Sequence, residues 1–492
     1  MFDLLLKNAA VVTVDPKHNV YFPGYVAIKD GKIASVGPME NYPDEPSAKI
    51  IDCGGKAILP GLIDAHGHGG HSTLRYLGEG SGNWSYMAAE IYCRDTDDFF
   101  WYADSALTAA ERIKFGVTTG VSMIGSMNRA DRIEILDAHF AGARKTGIRH
   151  FSGLGCSGNA PKYYRHFFED GSSKEYTVSR ADAIKNTELA LKEFQGAYPK
   201  QYCIVAPSVM GRKTGLSDAE AAEENRAMNR LAEEYGTIVH THAYGGDVEF
   251  LWETSPEVLK PSLSLTHSTN LSEKEIEIVA KTGAYIFHGP STNSIIRGWC
   301  PVYELLRAGA NLAIVTDGAA PDRGYDLWRD MKAFRTVHRI HEKTVKVAPP
   351  GLILELCTIR PARALGIGDL VGSIEPGKLA DLITIDIAQP HFAPLLKEHI
   401  VQALVYATTG TDVRDVYIEG EPVMLGRKLV KCSEQAILQD ANDSLASMIS
   451  RIGPDRMKLL LGREGLYDIW TECAIDDASA FSGIEFDLQQ PK

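Results

Sequence analysis

The chain has 492 residues, 44% of them apolar and 23% charged, and a formal net charge of −13. That length accommodates two or three domains, or one large barrel with an addition, and it buries a sizeable core. The acidic balance disfavours nucleic acid and anionic membrane as partners, and no apolar run is long enough to span a bilayer. The N-terminal residues lack the basic-then-apolar order of a signal peptide. Eight scattered cysteines without a Cys-x-x-Cys pair fit free thiols in a reducing cytosol.

Residues 1–57 read as short strands (4–14, 25–28, 32–36 and 49–52) separated by turns such as Lys29-Asp30-Gly31. They suggest the first part of a small β-sandwich. From residue 58 strands alternate with helices. The strands expected are 58–66, 117–123, 148–153, 202–207, 237–243, 263–267, 284–288 and 312–317. Helices are expected at 105–115, 183–195, 218–235, 273–282 and 302–308. Eight strands separated by helices point to an α/β fold, a (β/α)8 barrel over 58–369. Short strands with glycine turns return over 370–430 and would complete the sandwich, and 431–492 reads as a helical extension and tail.

Chemistry in such a barrel sits at the carboxyl ends of the strands. The expected ends carry His66 and His68, His242, His267, His288 and Asp317. His66 and His68, two apart at the end of a buried strand, would share a face and bind one ion together. Glycines 67, 69 and 70 beside them would let a ligand approach the backbone. With His242 and Asp317 they make three neutral nitrogens and an anionic oxygen, the donor set for one divalent ion with an open position for water. Asp317 can also accept the water's proton; taken alone, it reads better as a helix N-cap, since Thr316-Asp317-Gly318 follows a strand. His267 can polarise a substrate carbonyl or orient the water. His240 shares a face with His242 but lies deeper, as a supporting core residue. Trp84, Tyr86, Tyr244, Arg297 and Trp299, with His288, are candidates for lining a substrate pocket, although aromatics at such positions also serve as core. His71, His139, His150, His166, His338 and His341 read as structural.

Several motifs together carry a resemblance. They are Pro60-Gly61-Leu62-Ile63-Asp64-Ala65-His66-Gly67-His68, Gly116-Val-Thr-Thr-Gly120, Val239-His-Thr-His242, His267, Pro290-Ser-Thr-Asn293, residues 308–318 ending in Asp317-Gly318, and residues 372–382. The chain resembles the amidohydrolase superfamily, in its atrazine chlorohydrolase-like and cytosine-deaminase-like branch. The resemblance implies a distorted barrel with a small sandwich, a homo-oligomer, and hydrolysis of a small molecule at a non-peptide carbon–nitrogen bond. It also implies one catalytic metal ion, zinc first, with iron, manganese or cobalt as alternatives. By carry-over His66, His68, His242 and Asp317 are the ligands, and His267 orients the substrate.

One position departs. Deaminases of this branch carry Glu three residues after the fifth-strand histidine; here that residue is Gly245. Asp247 or Glu249 could stand in, or Asp317 alone could serve as base and then acid. The second case suits amide, cyclic amide, urea or carbamate cleavage better than ring deamination. Deamination or dechlorination of an N-heterocycle stays open as the alternative. A metal-free structural relative is disfavoured by the complete ligand set. No lysine ends the fourth strand, which argues against a carbamylated-lysine two-metal site.

Overall fold

A computed structural model describes residues 1–42, 45–77, 84–125, 129–156, 163–168, 170–212 and 215–461. The chain opens with β1 (Phe2–Val12), β2 (Val20–Lys29), β3 (Lys32–Pro38), β4 (Ser47–Asp52) and β5 (Lys56–Pro60). Next come β6 (Leu62–Asp64), β7 (His68–Gly69), β8 (Val117–Ile124) and β9 (Arg149–Leu154), then a hairpin of β10 (Tyr164–Phe167) and β11 (Ser173–Tyr176). They are followed by β12 (Gln201–Val205), β13 (Val239–Tyr244), β14 (Leu263–Thr269), β15 (Tyr285–His288) and β16 (Asn311–Ile314). The last strands are β17 (Leu382–Asp386), β18 (Val413–Ile418), β19 (Glu421–Leu425) and β20 (Lys428–Leu429).

Eight parallel strands run in the order β16-β15-β14-β13-β12-β9-β8-β6, with β7 beside β8. This is a nearly closed, distorted TIM barrel. β6 and β16 are the two ends of that path, and a side chain closes the seam between them. Asp64 accepts from the Thr316 amide (3.0 Å) and hydroxyl (2.8 Å). Arg112, fully buried, donates to Asp64 at 2.9 Å and neutralises it, so a charge sits in the core with its partner. Arg112 also donates to Ser122 Oγ and the Val121 carbonyl, tying the clasp to β8.

β1–β5 and β17–β20 form one nine-stranded sheet, order β20-β19-β18-β17-β5-β1-β2-β3, with β4 on β1. Leu4, Leu6, Val26, Ile28, Ile33, Ile58, Ile374 and Leu382 fill its apolar core. Residues 56–60, expected to begin the barrel from 58, belong to this sheet instead: Ile58 pairs with Thr384 and Pro60 with Leu382. The strand breaks at Gly61, where an added Cβ would lie 2.1 Å from Thr118 Oγ1. Proline ends one ladder and the missing side chain admits Thr118, so a single apolar run serves two sheets.

Helix Glu273–Thr282 has its expected bounds, set by a Ser272/Glu275 capping box and by Gly283 at φ 76°. Helix Asp98–Lys114 starts earlier than expected, capped by Asp97. Helices Glu134–Thr146 and Leu327–Glu342 close gaps that the strand pattern left blank.

Candidate metal centre

His66 lies in the irregular step between β6 and β7, and His68 begins β7, pairing with Met123. The two rings still converge, centroids 4.9 Å apart, and the His242 ring from β13 joins them at 5.0 and 5.1 Å. Asp317 follows β16 and puts Oδ1 3.1 Å from both His66 Nε2 and His68 Nε2. His242 Nε2 lies 3.3 Å from His68 Nε2. No helix begins at Asp317; the helix after it is capped by Asp326. Among the described residues, the groups able to hold a metal ion are His66 with His68 and His242, and His66 with His267 and Asp317.

Each rear nitrogen is engaged by an acceptor. His68 Nδ1 donates to the Gly125 carbonyl at 2.7 Å and His242 Nδ1 to that of Ser208 at 2.6 Å. His66 Nδ1 lies 2.7 Å from His240 Nε2, and His240 Nδ1 lies 2.7 Å from Ser264 Oγ. His68 and His242, whose Nδ1 must donate to a carbonyl, thereby present the Nε2 lone pair to the common point, and His66 does the same when its Nδ1 donates to His240. Burial holds His66 below the usual histidine range, and burial followed by the neighbouring imidazoles holds His242 well below it. Neutral rings are what metal ligation requires. Asp317 is also buried, which works against its charge, yet beside the His66 and His68 rings its carboxyl lies well below the usual range. Three neutral nitrogens and one carboxylate around one point fit a single divalent ion.

Asp317 (φ 65°), His267 (φ 69°) and Ser268 (φ 46°) have left-handed backbones, uncommon outside glycine. At His267 the β13–β14 register slips between Ala243 and Tyr244, a bulge that re-aims the side chain. The His267 ring stacks on His242 at 5.2 Å and lies 6.1 Å from His66. Tyr244 stacks on its side at 5.8 Å, so two of the expected site residues are in contact.

Trp84 meets the metal group indirectly, edge-on to His71 at 5.3 Å. His288 is placed differently from the expected substrate-facing role. It lies behind Asn293, one ring nitrogen 3.1 Å from Asn293 Nδ2 and the other 3.1 Å from His338 Nε2, which leaves neither for a substrate. The Arg297 side chain lies outside the described residues. Trp299 stacks on His341 at 3.6 Å, and Tyr86 is exposed.

The glycines of the motif serve side chains, not a ligand. A Cβ on Gly67 would sit 2.5 Å from Arg112 Nη2, on Gly69 2.9 Å from His139, and on Gly70 2.4 Å from the Tyr92 ring. Sequence reasoning missed His71, whose ring stacks on His68 at 4.8 Å. The neighbouring Gly318, with no room for a side chain beside His71 Nδ1, was the available signal. The Tyr325 hydroxyl, donating to the His68 carbonyl at 3.0 Å, had no signal in the sequence.

The amidohydrolase family model matches residues 57–423. The chain belongs to the amidohydrolase family. Across 451 residues it is 28% identical to a 5-methylthioadenosine/S-adenosylhomocysteine deaminase of Syntrophobacter fumaroxidans, covering 89% of this chain and 96% of the relative. It is 26% identical to a 5'-deoxyadenosine deaminase of Methanosarcina barkeri, covering 92% of this chain and all of the relative. Two zinc-bound structures share the fold. An adenosine deaminase from Xanthomonas campestris superposes with TM-score 0.74 at 23% identity, covering 91% and 98% of the two chains. Atrazine chlorohydrolase from Arthrobacter aurescens superposes with TM-score 0.75 at 19% identity, covering 90% of this chain and all of that one. As an amidohydrolase the chain is a metal-dependent hydrolase of carbon–nitrogen bonds.

Proposed function

We propose that this amidohydrolase cleaves an amide-type bond (cyclic amide, amide, urea or carbamate) of a small molecule at one divalent ion, zinc first. His66, His68, His242 and Asp317 would hold the ion. The observation carrying the choice of bond is at position 245. A Cβ there would lie 2.4 Å from the Asn270 carbonyl oxygen, so the loop is packed for glycine and excludes the deaminase glutamate. The two carboxylates that could stand in for it are already employed. Asp247 accepts from the Tyr244 amide at 2.8 Å, and Glu249 pairs with Lys274.

A divalent ion held by these ligands supplies Lewis acidity and makes water a nucleophile near neutral pH. The chain supplies the rest. Asp317 takes the proton from the attacking water and returns it to the leaving nitrogen. His267 fixes the orientation of the water or substrate, and Tyr244 covers the far side of His267. A polarised carbonyl needs no prior ring protonation, so one shuttling carboxylate suffices.

Deamination of an adenine nucleoside is the second reading, favoured by the names of relatives that align over about nine-tenths of the chain. The zinc-loaded protein assayed against both classes decides. Turnover of cyclic amides, ureas or carbamates without ammonia release from 5'-methylthioadenosine or 5'-deoxyadenosine supports the first; the reverse overturns it. Family resemblance further supports a homo-oligomer, which sedimentation checks, and the scattered cysteines of the sequence fit a reducing cytosol. No helix among the described residues is long and apolar enough to cross a membrane.

A further inference from the structure

Pro290-Ser-Thr-Asn293 remains unused by the mechanism above. It forms the turn after β15, with the Asn293 amide bonded to the Gly289 carbonyl at 2.9 Å and its carbonyl accepting from Gly298 at 2.9 Å. The Asn293 side chain is 4% exposed and meets three groups. Nδ2 lies 3.2 Å from the His267 carbonyl oxygen and 3.1 Å from His288 Nδ1, and Oδ1 lies 3.0 Å from His267 Nδ1.

The His267 carbonyl can only accept, so it fixes which end of the amide is NH2. Oδ1 therefore faces His267 Nδ1, which must donate. The second Nδ2 proton points at His288 Nδ1, which must accept. His288 then carries its proton on Nε2 and donates to His338 Nε2 at 3.1 Å. One asparagine thus sets the tautomers of three buried rings.

We infer that Asn293 is a positioning residue that locks His267 in its Nδ1–H form, so that Nε2 presents a lone pair to the centre. This rests on the functional reading for His267's place in the reaction, but not for its tautomer. It refines the role: His267 accepts a hydrogen bond from the water or from a substrate N–H, and does not donate one to a substrate carbonyl.

The test needs no substrate. Nitrogen-15 histidine labelling of the full chain, with and without zinc, reports which ring nitrogens carry protons. The expected result is Nδ1–H at His267 and Nε2–H at His288. In Asn293→Asp the amide donor is gone, and His288 should switch to Nδ1–H while His267 keeps its tautomer. Should that variant not fold, Asn293→Ala releases His267 to a mixture of both forms. Once a substrate is in hand, Asn293→Ala should lose about 10–100-fold in kcat with KM and zinc content nearly unchanged, and Asn293→Asp, which keeps the His267 tautomer, should lose less. Nε2–H at His267 in the unaltered protein, or unchanged ring tautomers in Asn293→Ala, overturns the inference.

Discussion

At position 245 the limit is steric before it is chemical. Restoring the deaminase carboxylate as Gly245→Glu drives a Cβ against the Asn270 carbonyl, 2.4 Å away. Overpacking of that kind costs about 1–3 kcal/mol, so the variant should melt lower and gain no ammonia release from aminated heterocycles. A gain would mean that the loop yields and that deamination is one residue away. Asp317 is tested beside it. Asp317→Asn keeps an oxygen ligand and loses the base, so turnover should fall at least about 10²–10⁴-fold with some zinc retained. Asp247→Asn and Glu249→Gln should leave kcat nearly unchanged, because these carboxylates serve the Tyr244 amide and Lys274. Abolished turnover in Asp247→Asn with zinc intact would return the proton transfer to a displaced carboxylate.

At the scale of elements, the strands that carry His242 and His267 and the one that leads to Asp317 were legible because buried parallel strands read as continuous apolar runs with polar residues at their ends. What was not legible is what happens across space. The run 56–64 has one apolar texture, yet Thr118 behind Gly61 splits it between two sheets. The bulge at His267 depends on register with β13, which no local pattern encodes. The motif glycines signalled close approach correctly, but the approaching groups, Arg112, His139 and Tyr92, come from distant helices. The two sheets are also tied by a pair invisible in sequence. Arg149 on β9, buried, is ion-paired with Asp381 just before β17 and donates to Glu419 at 2.9 Å. Arg149→Ala leaves Asp381 buried without its counter-charge and should cost about 3–5 kcal/mol in a denaturant titration. Zinc binding, which uses none of these residues, should persist in the folded fraction.

For the whole molecule, stability should depend on both pH and metal. Burial pushes the Asp330 carboxyl up to about 7 from its ordinary 3.8. Between those values the folded chain holds a proton that the unfolded chain has lost, so stability falls as pH rises through that window and levels off above it. The full difference is at most about 4 kcal/mol. Asp330→Asn should flatten the profile, raising the melting temperature at pH 8 relative to the parent more than at pH 5.

The proposed ion would act at the barrel seam. β6 and β16 end the strand path, joined by the Asp64 clasp to Thr316. His66 and His68 stand on one side of that seam and Asp317 on the other, so one ion bound by all three spans it. An ion that binds only the folded state adds about 4 kcal/mol at a thousand-fold excess over its Kd. Chelation should therefore lower the melting temperature, and elemental analysis should find about one equivalent per chain before it. The discriminating measurement is local. Hydrogen exchange should rise on chelation at residues 62–69 and 311–317 and stay unchanged in β1, β2 and β18 of the terminal sheet. Uniform loosening of both sheets would instead mean that the ion stabilises the fold generally, and two equivalents per chain would defeat the single-ion site.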